Sequence, residues 1–272
     1  MRHNLSDIHL IHQVRLIAEK AGRAIMQVYG EPELLQGSTH TLKSDKSPLT
    51  LADVRAHQVI VEGLTSLSPE IPIVSEEDES SHAHCHGREK FWLVDPLDGT
   101  KEFLARNGQF TVNVAMVRAG QAMFGVVVAP ALDEVFWNEP GIGAFGHSAG
   151  ITSALHVASK SSRMGKPMRV MASRSHLNDA TRAFMNGLGK HEVVHAGSSL
   201  KFCRIAQGEA DCYPRIGATC EWDTAAAQVI LEAAGGWVCT LDGERLSYGK
   251  ASIVNPSFVA SAWSLCPNRG SA

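Results

Sequence analysis

The 272-residue chain has no run of lysine or arginine, no Cys-x-x-Cys pair, no internal repeat and no apolar stretch that could span a bilayer. Each absence excludes a class. A net charge of −3 leaves no basic footprint for nucleic acid. The best apolar run, residues 124–132, is less than half the ~20 residues that a membrane helix needs. The opening Met1-Arg2-His3-Asn4-Leu5-Ser6-Asp7 lacks an apolar signal core. The six cysteines are at 85, 203, 212, 220, 239 and 266, and they form no regular framework; in a chain of this length they read as reduced thiols, several buried as small hydrophobes. The expected compartment is therefore the cytoplasm. A hydrophobic content of 44% with 19% charged residues fits a globular chain with a sizeable core.

The stretch that organises the rest runs from Trp92 to Phe103. Apolar residues lead into Asp95-Pro96-Leu97-Asp98-Gly99-Thr100, as a buried strand would. Two carboxylates so close repel each other unless a cation lies between them, and hard divalent ions such as Mg²⁺ prefer oxygen ligands. Pro96 holds the preceding residue extended, so both carboxylates can leave the strand end together. Gly99 and Thr100 can offer free backbone N–H groups to an anion, as the first turn of a helix does. Metal-binding carboxylates beside a phosphate cradle point to phosphoryl chemistry. Taken alone, the motif reads better as a strand ending in an Asx turn, and it is the rest of the chain that reverses this.

The flanking chain divides into two kinds of pattern. Apolar positions from Ile8 to Val28 recur at helical spacing and predict a helix over residues 7–29, with Ser6 or Asp7 as its cap. A polar loop over 37–48 precedes a second helix over 50–67 with Asp53 in its first turn, where a carboxylate also suits the helix dipole. Strands are expected at 71–74, 91–94, 111–117, 123–129 and 134–137, the last three as an antiparallel meander. Gly141-x-Gly143-x-x-Gly146 matches a dinucleotide fingerprint by letter, yet no apolar-periodic helix follows, so it reads as a hairpin turn. Residues 149–167 are polar and unpatterned, and place a boundary between an α+β half, 1–150, and an α/β half, 151–272. In the second half, strands at 169–172, 193–194, 210–216, 237–241 and 258–261 alternate with helices at 177–188, 200–206 and 222–234.

Carboxylates recur in order along the chain: Asp53, then Glu76-Glu77, then Asp95 and Asp98, then Asp223 within Trp222-Asp223-Thr224-Ala225-Ala226. This order resembles the lithium-sensitive, Mg²⁺-dependent phosphomonoesterases that include inositol monophosphatases and fructose-1,6-bisphosphatases. The finer resemblance is to the 3'(2'),5'-bisphosphate nucleotidases. It rests on Lys43-Ser44-Asp45-Lys46-Ser47-Pro48-Leu49-Thr50-Leu51-Ala52-Asp53, on the Lys101-Glu102-Phe103 continuation, on Gly197-Ser198-Ser199-Leu200-Lys201-Phe202-Cys203 and on Tyr213-Pro214-Arg215. One departure is Ala227-Gln228, where glycine is common in that branch.

The resemblance implies a five-layer αβαβα sandwich and hydrolysis of adenosine 3',5'-bisphosphate (PAP) to AMP and phosphate, with the sulfated nucleotide PAPS as a second substrate and a place in sulfur metabolism. It implies about two or three Mg²⁺ ions held by Glu76, Asp95, Asp98, Asp223 and the Leu97 carbonyl, and inhibition by Li⁺. Catalysis would fall to Asp53, Glu77 and Thr100, with Thr100 holding the attacking water. Gly99 and Thr100 would hold phosphate oxygens beside Glu76, Leu97, Asp98 and Asp223. Nucleotide contacts would be His176, Ser198, Lys201 and Arg215; Lys201 and Arg215 suit a second phosphate. The partner is a small phosphorylated nucleotide rather than nucleic acid or a spanned membrane. Monomer or homodimer, and attachment to the cytoplasmic face of the inner membrane, stay open.

Three other classes share parts of this pattern. An inositol-phosphate or sugar-phosphate phosphatase would not need Lys201 with Arg215. A non-catalytic regulator would have lost a ligand, and none is missing. A zinc module would rest on His82-Ala83-His84-Cys85-His86 alone, where an extended polar loop offers no closed tetrahedral set.

Overall fold

The structure is a computed structural model that describes residues 5–31, 41–42, 48–173 and 178–265. His176, residues 43–47 and Cys266 lie outside the described residues. Helix α1 (Leu5–Gly30) buries Ile11, Val14, Ala18, Ala21, Ile25 and Val28 along one stripe, as their spacing requires. It begins upstream of the Ser6 or Asp7 expected to cap it. A short antiparallel pair, β1 (Thr41–Leu42) and β2 (Pro48–Leu49), leads into α2 (Leu51–Leu67). Thr50 caps α2 and forms a reciprocal capping box with Asp53.

A seven-stranded sheet follows in chain order: β3 (Ile73–Ser75), β4 (Lys90–Asp98), β5 (Thr111–Arg118), β6 (Gln121–Ala129), β7 (Glu134–Glu139), β8 (Gly143–Ser148) and β9 (Ile151–Leu155). β3 and β4 are parallel, and the rest pair antiparallel as the expected meander. Gly141 turns the β7–β8 hairpin at φ 76°, which confirms the turn rather than a dinucleotide loop. β9 corrects the reading of 149–167 as patternless. It is an edge strand with four exposed residues, so it carries no alternation to detect. The first sheet thus runs to Leu155, past position 150.

The second sheet has the order β11–β10–β12–β14–β13, where β10 is Met168–Ala172, β11 His191–His195, β12 Cys212–Arg215, β13 Trp237–Thr240 and β14 Phe258–Ser261. β10 is parallel to β11 and β12; β14 is antiparallel to β12 and β13. The helices are α3 (Thr100–Leu104), α4 (Asp179–Gly187), α5 (Leu200–Ala206) and α6 (Ala225–Ala233).

Strand alternation sorts the core into layers. Trp92, Val94, Val112 and Val114 face α1 and α2 in one apolar cluster, whereas Phe91, Leu93, Ala115 and Val117 join Leu200, Phe202, Ile230, Leu231, Met171 and Tyr213 in the other. α5 and α6 therefore fill the space between the sheets. Val170 and Cys212 are buried on the opposite face of the second sheet, beside α4. The result is two mixed sheets with helices outside and between them, the expected α+β layered sandwich.

Among the described residues, no helix is long and apolar enough to cross a membrane. Cys85, Cys203 and Cys212 are buried thiols, and burial pushes Cys212 up to about 12. Cys239 departs from the expectation of reduced thiols: it is disulfide-bonded. A disulfide joins residues close in space, and spacing along the chain does not report that.

Candidate functional site

The expected carboxylates meet where the two sheets face each other. β4 runs through Asp95 and ends at Asp98, with a break in its register against β5 between the two. That irregularity turns both side chains to one end of the strand. Glu76 follows β3, and its N–H donates to the Val94 carbonyl at 3.1 Å, which sets it beside β4. Asp223 ends the single 3-10 turn Glu221–Asp223 that precedes α6. The expected helix over 222–234 thus starts three residues late. The Asp223 carboxylate accepts the Cys220 N–H at 2.7 Å, which closes the turn before the α-helix begins.

Ligand oxygens of Asp95, Asp98 and Asp223 all lie within 4.8 Å of one another. Burial raises the pKa of each, and for Asp95 the charges of Glu76, Asp98 and Asp223 raise it further. Asp98 is held against this trend by Lys201 and by bonds from Ser199 N–H at 2.8 Å, Ser199 Oγ at 3.1 Å and Asn113 Nδ2 at 3.4 Å. Carboxylates packed this closely favour protons or cations, and an all-oxygen donor set suits a hard divalent ion. Among the described residues, no set that includes His82, His84, Cys85 or His86 converges in this way.

Asp53 reaches the cluster from α2. Its Oδ2 accepts the Thr50 N–H at 2.8 Å and the Thr50 hydroxyl at 2.5 Å, and its Oδ1 accepts the Thr100 hydroxyl at 3.3 Å. Capping and site contact thus use the two oxygens of one carboxylate. Thr100 is also 3.4 Å from the Leu97 carbonyl. Glu77 is half-buried one residue beyond Glu76 and is not among the residues lining the cavity described next.

A cavity of about 460 Å³ opens over the cluster, and its lining includes Glu76, Asp95, Asp98 and Asp223 together with Lys201 and Arg215. Arg215 donates to the Ala218 carbonyl at 2.9 Å, while its Nε is buried without a hydrogen-bond partner. Lys201 is deeper than a surface charge: Nζ donates to the Ser198 carbonyl at 2.6 Å and sits 5.2 Å from the Tyr213 ring centroid. Burial lowers its pKa to about 8, against the favourable charge of Asp98. Ser198, at φ 48°, has its hydroxyl 2.8 Å from the Asp98 carbonyl and 2.9 Å from the Gln109 carbonyl. Gly99 is left-handed at φ 91°, and a Cβ there would lie 2.1 Å from Ser198 Oγ. Ser198 thus clasps the Gly99 loop, Lys201 holds the Ser198 carbonyl, and both line the cavity. The supports Ser199, Asn113 and Gln109 were missed, although Ser199 stands inside a motif already singled out. The Gln228 departure also has a structural account: its carbonyl accepts the Tyr248 hydroxyl at 2.5 Å and its amide reaches Glu232 at 2.9 Å, which ties α6 to the loop before β14.

Over residues 9–267 the chain matches the inositol monophosphatase family, and it belongs to that family of phosphatases. Its relatives narrow the comparison. The 3'(2'),5'-bisphosphate nucleotidase CysQ of Salmonella typhimurium is 43% identical over 250 residues, 92% of this chain and 98% of the relative. That of Escherichia coli K12 is 40% identical over 255 residues, 93% and 100%. The crystal structure of CysQ from Bacteroides thetaiotaomicron superposes with a TM-score of 0.79 at 34% identity, over 95% of this chain and 98% of that one.

Proposed function

We propose that this chain is a Mg²⁺-dependent nucleotidase that hydrolyses adenosine 3',5'-bisphosphate to AMP and phosphate, with PAPS as a second substrate. One observation carries the reading: the acidic cluster and Arg215 line the same cavity, so one ligand can present a reacting phosphate to the first and a second phosphate to the other. The similarity to CysQ nucleotidases over nearly the whole chain supports it. An inositol or sugar monophosphate would leave Arg215 without a ligand.

In this reading Glu76, Asp95, Asp98, Asp223 and the Leu97 carbonyl hold Mg²⁺, which when bound neutralises phosphate charge and lowers the pKa of water. Thr100 orients the attacking water through its hydroxyl. Asp53 Oδ1 draws on that hydroxyl while Thr50 fixes Oδ2, so the carboxylate is held in place to polarise the Thr100 hydroxyl. The Gly99 and Thr100 N–H groups take phosphate oxygens, and the Ser198–Lys201 clasp keeps that loop from shifting. Glu77, one residue beyond Glu76, is assigned to water activation from behind the cavity lining. No covalent nucleophile is needed. Li⁺ is expected to inhibit by replacing one Mg²⁺.

Arg215→Ala tests the specific part. It should lower kcat/KM for adenosine 3',5'-bisphosphate by about 1.5–3 kcal/mol, the scale of a charge-assisted hydrogen bond. Hydrolysis of adenosine 3'-monophosphate should barely change. Because Arg215 also holds the Ala218 carbonyl near Asp223, equal losses on both substrates would assign it to the loop instead and remove the second-phosphate contact.

A further inference from the structure

The histidine-rich segment 82–86 is absorbed neither by a zinc site nor by the nucleotide pocket. It is a 3-10 turn, Glu79–His84, rather than the extended loop its polarity suggests, and Asp78 caps it through Ser80. The turn folds back on Ser75, the residue before Glu76. Ser81 Oγ accepts the Ser75 N–H at 3.0 Å, and His82 Nε2 lies 3.0 Å from the Ser75 carbonyl oxygen. An acceptor there requires Nε2 to carry the proton. From the other side, His57 Nδ1 of α2 lies 2.9 Å from Ser75 Oγ. The His82 ring meanwhile packs on Trp222, with centroids 4.8 Å apart, and Trp222 is buried directly before Asp223. His84 and His86 are exposed and take no part.

One side chain therefore touches the residue before Glu76 and the residue before Asp223. These two carboxylates come from different parts of the fold, Glu76 from the edge of the first sheet and Asp223 from the turn that follows the second sheet's β12. We propose that His82 is a positioning residue that fixes Glu76 and Asp223 relative to each other, so that both close on the Asp95–Asp98 pair that holds the cations. The hydrogen bond holds one side and ring packing holds the other. The proposal rests on the cation-binding reading of the cluster and adds a residue to it that touches neither cation nor substrate.

Two readouts test it: the Mg²⁺ concentration for half-maximal hydrolysis of adenosine 3',5'-bisphosphate, and the rise in Tm caused by Mg²⁺ alone. For His82→Ala the half-maximal Mg²⁺ should rise about tenfold, the lower end of what groups orienting metal ligands contribute. The Mg²⁺-induced Tm rise should shrink at fixed Mg²⁺, and kcat should recover when Mg²⁺ saturates. His82→Gln, which keeps a side-chain N–H, should recover part of the affinity, and His82→Phe, which keeps a ring, should recover another part. Unchanged Mg²⁺ dependence in His82→Ala would overturn the proposal. So would a drop in metal-free Tm and kcat that saturating Mg²⁺ does not correct, since that marks a purely structural contact. A wild-type protein with neither Mg²⁺-dependent turnover nor a Mg²⁺-dependent Tm would overturn the cation reading itself, a failure visible before any variant is made.

Discussion

Asp95→Asn should lower kcat/KM for adenosine 3',5'-bisphosphate by about a thousandfold while leaving the metal-free protein at least as stable as the wild type. The loss is roughly 4 kcal/mol, within the several kcal/mol that a bound cation contributes to charge stabilisation in phosphoryl transfer. Asparagine keeps the oxygen that accepts the Leu97 N–H at 3.0 Å, so the strand end keeps its shape. The stability half of the expectation follows from charge. Burial first, and then Glu76, Asp98 and Asp223, hold the Asp95 carboxyl well above its usual value of 3.8. In the metal-free state the folded protein therefore keeps a proton that the unfolded chain has lost. Stability falls as pH rises from about 4 through the raised folded pKa. Asp98 and Asp223 shift the same way and add to the slope. Asparagine removes one of these groups and weakens the repulsion on the others. Thermal unfolding from pH 4 to 7 with Mg²⁺ chelated should give a flatter profile for Asp95→Asn than for wild type. Added Mg²⁺ should stabilise wild type and do much less for the variant. Full activity of Asp95→Asn in Mg²⁺ would remove this carboxylate from the site.

The second large effect is expected far from any substrate. Gly125 lies in β6 where α6 crosses it, and a Cβ there would stand 2.5 Å from the Ala226 carbonyl oxygen and 2.6 Å from its Cα. The obstruction is helix backbone, which cannot rotate away. Gly125→Ala should destabilise the fold by about 3 kcal/mol, the upper range for overpacking, a drop in Tm on the order of 5–10 °C. The strain should also reach the site, because α6 begins two residues after Asp223. A higher Mg²⁺ requirement is expected at temperatures where the variant is still folded. A Tm within a degree of wild type would mean that β6 and α6 are not packed backbone to backbone.

Much of this architecture is legible in the sequence where both faces of an element are buried. The apolar runs at 111–117 and 123–129 could only be interior strands, and helix 200–206 and strand 258–261 were placed to the residue. Reading failed where burial and pattern part company. β9 lies at a sheet edge with four of its five residues exposed. Lys201 is expected from the sequence as a nucleotide contact, but its depth is not legible there: the Ser198 carbonyl, the Tyr213 ring and Asp98 converge on it from three segments. Asp53 offered two readings, cap and site residue, and the capping box together with the Thr100 bond show that it makes both contacts. Ser75 was invisible as a junction, because Ser81, His82 and His57 reach its N–H, carbonyl and hydroxyl only once β3 is in place. Local chemistry marks the carboxylates. The contacts that aim them are long-range, and no spacing along the chain encodes them.

In the proposed nucleotidase an acidic cluster and a second phosphate site share one cavity. Phosphate release from adenosine 3',5'-bisphosphate, PAPS, inositol 1-phosphate and fructose 1,6-bisphosphate, each with Mg²⁺ and with chelator, tests it most directly. The expected result is Mg²⁺-dependent release with the highest kcat/KM on adenosine 3',5'-bisphosphate, and at least tenfold lower values on inositol 1-phosphate and fructose 1,6-bisphosphate. Release that persists in chelator, or a preference for inositol 1-phosphate, would contradict the account.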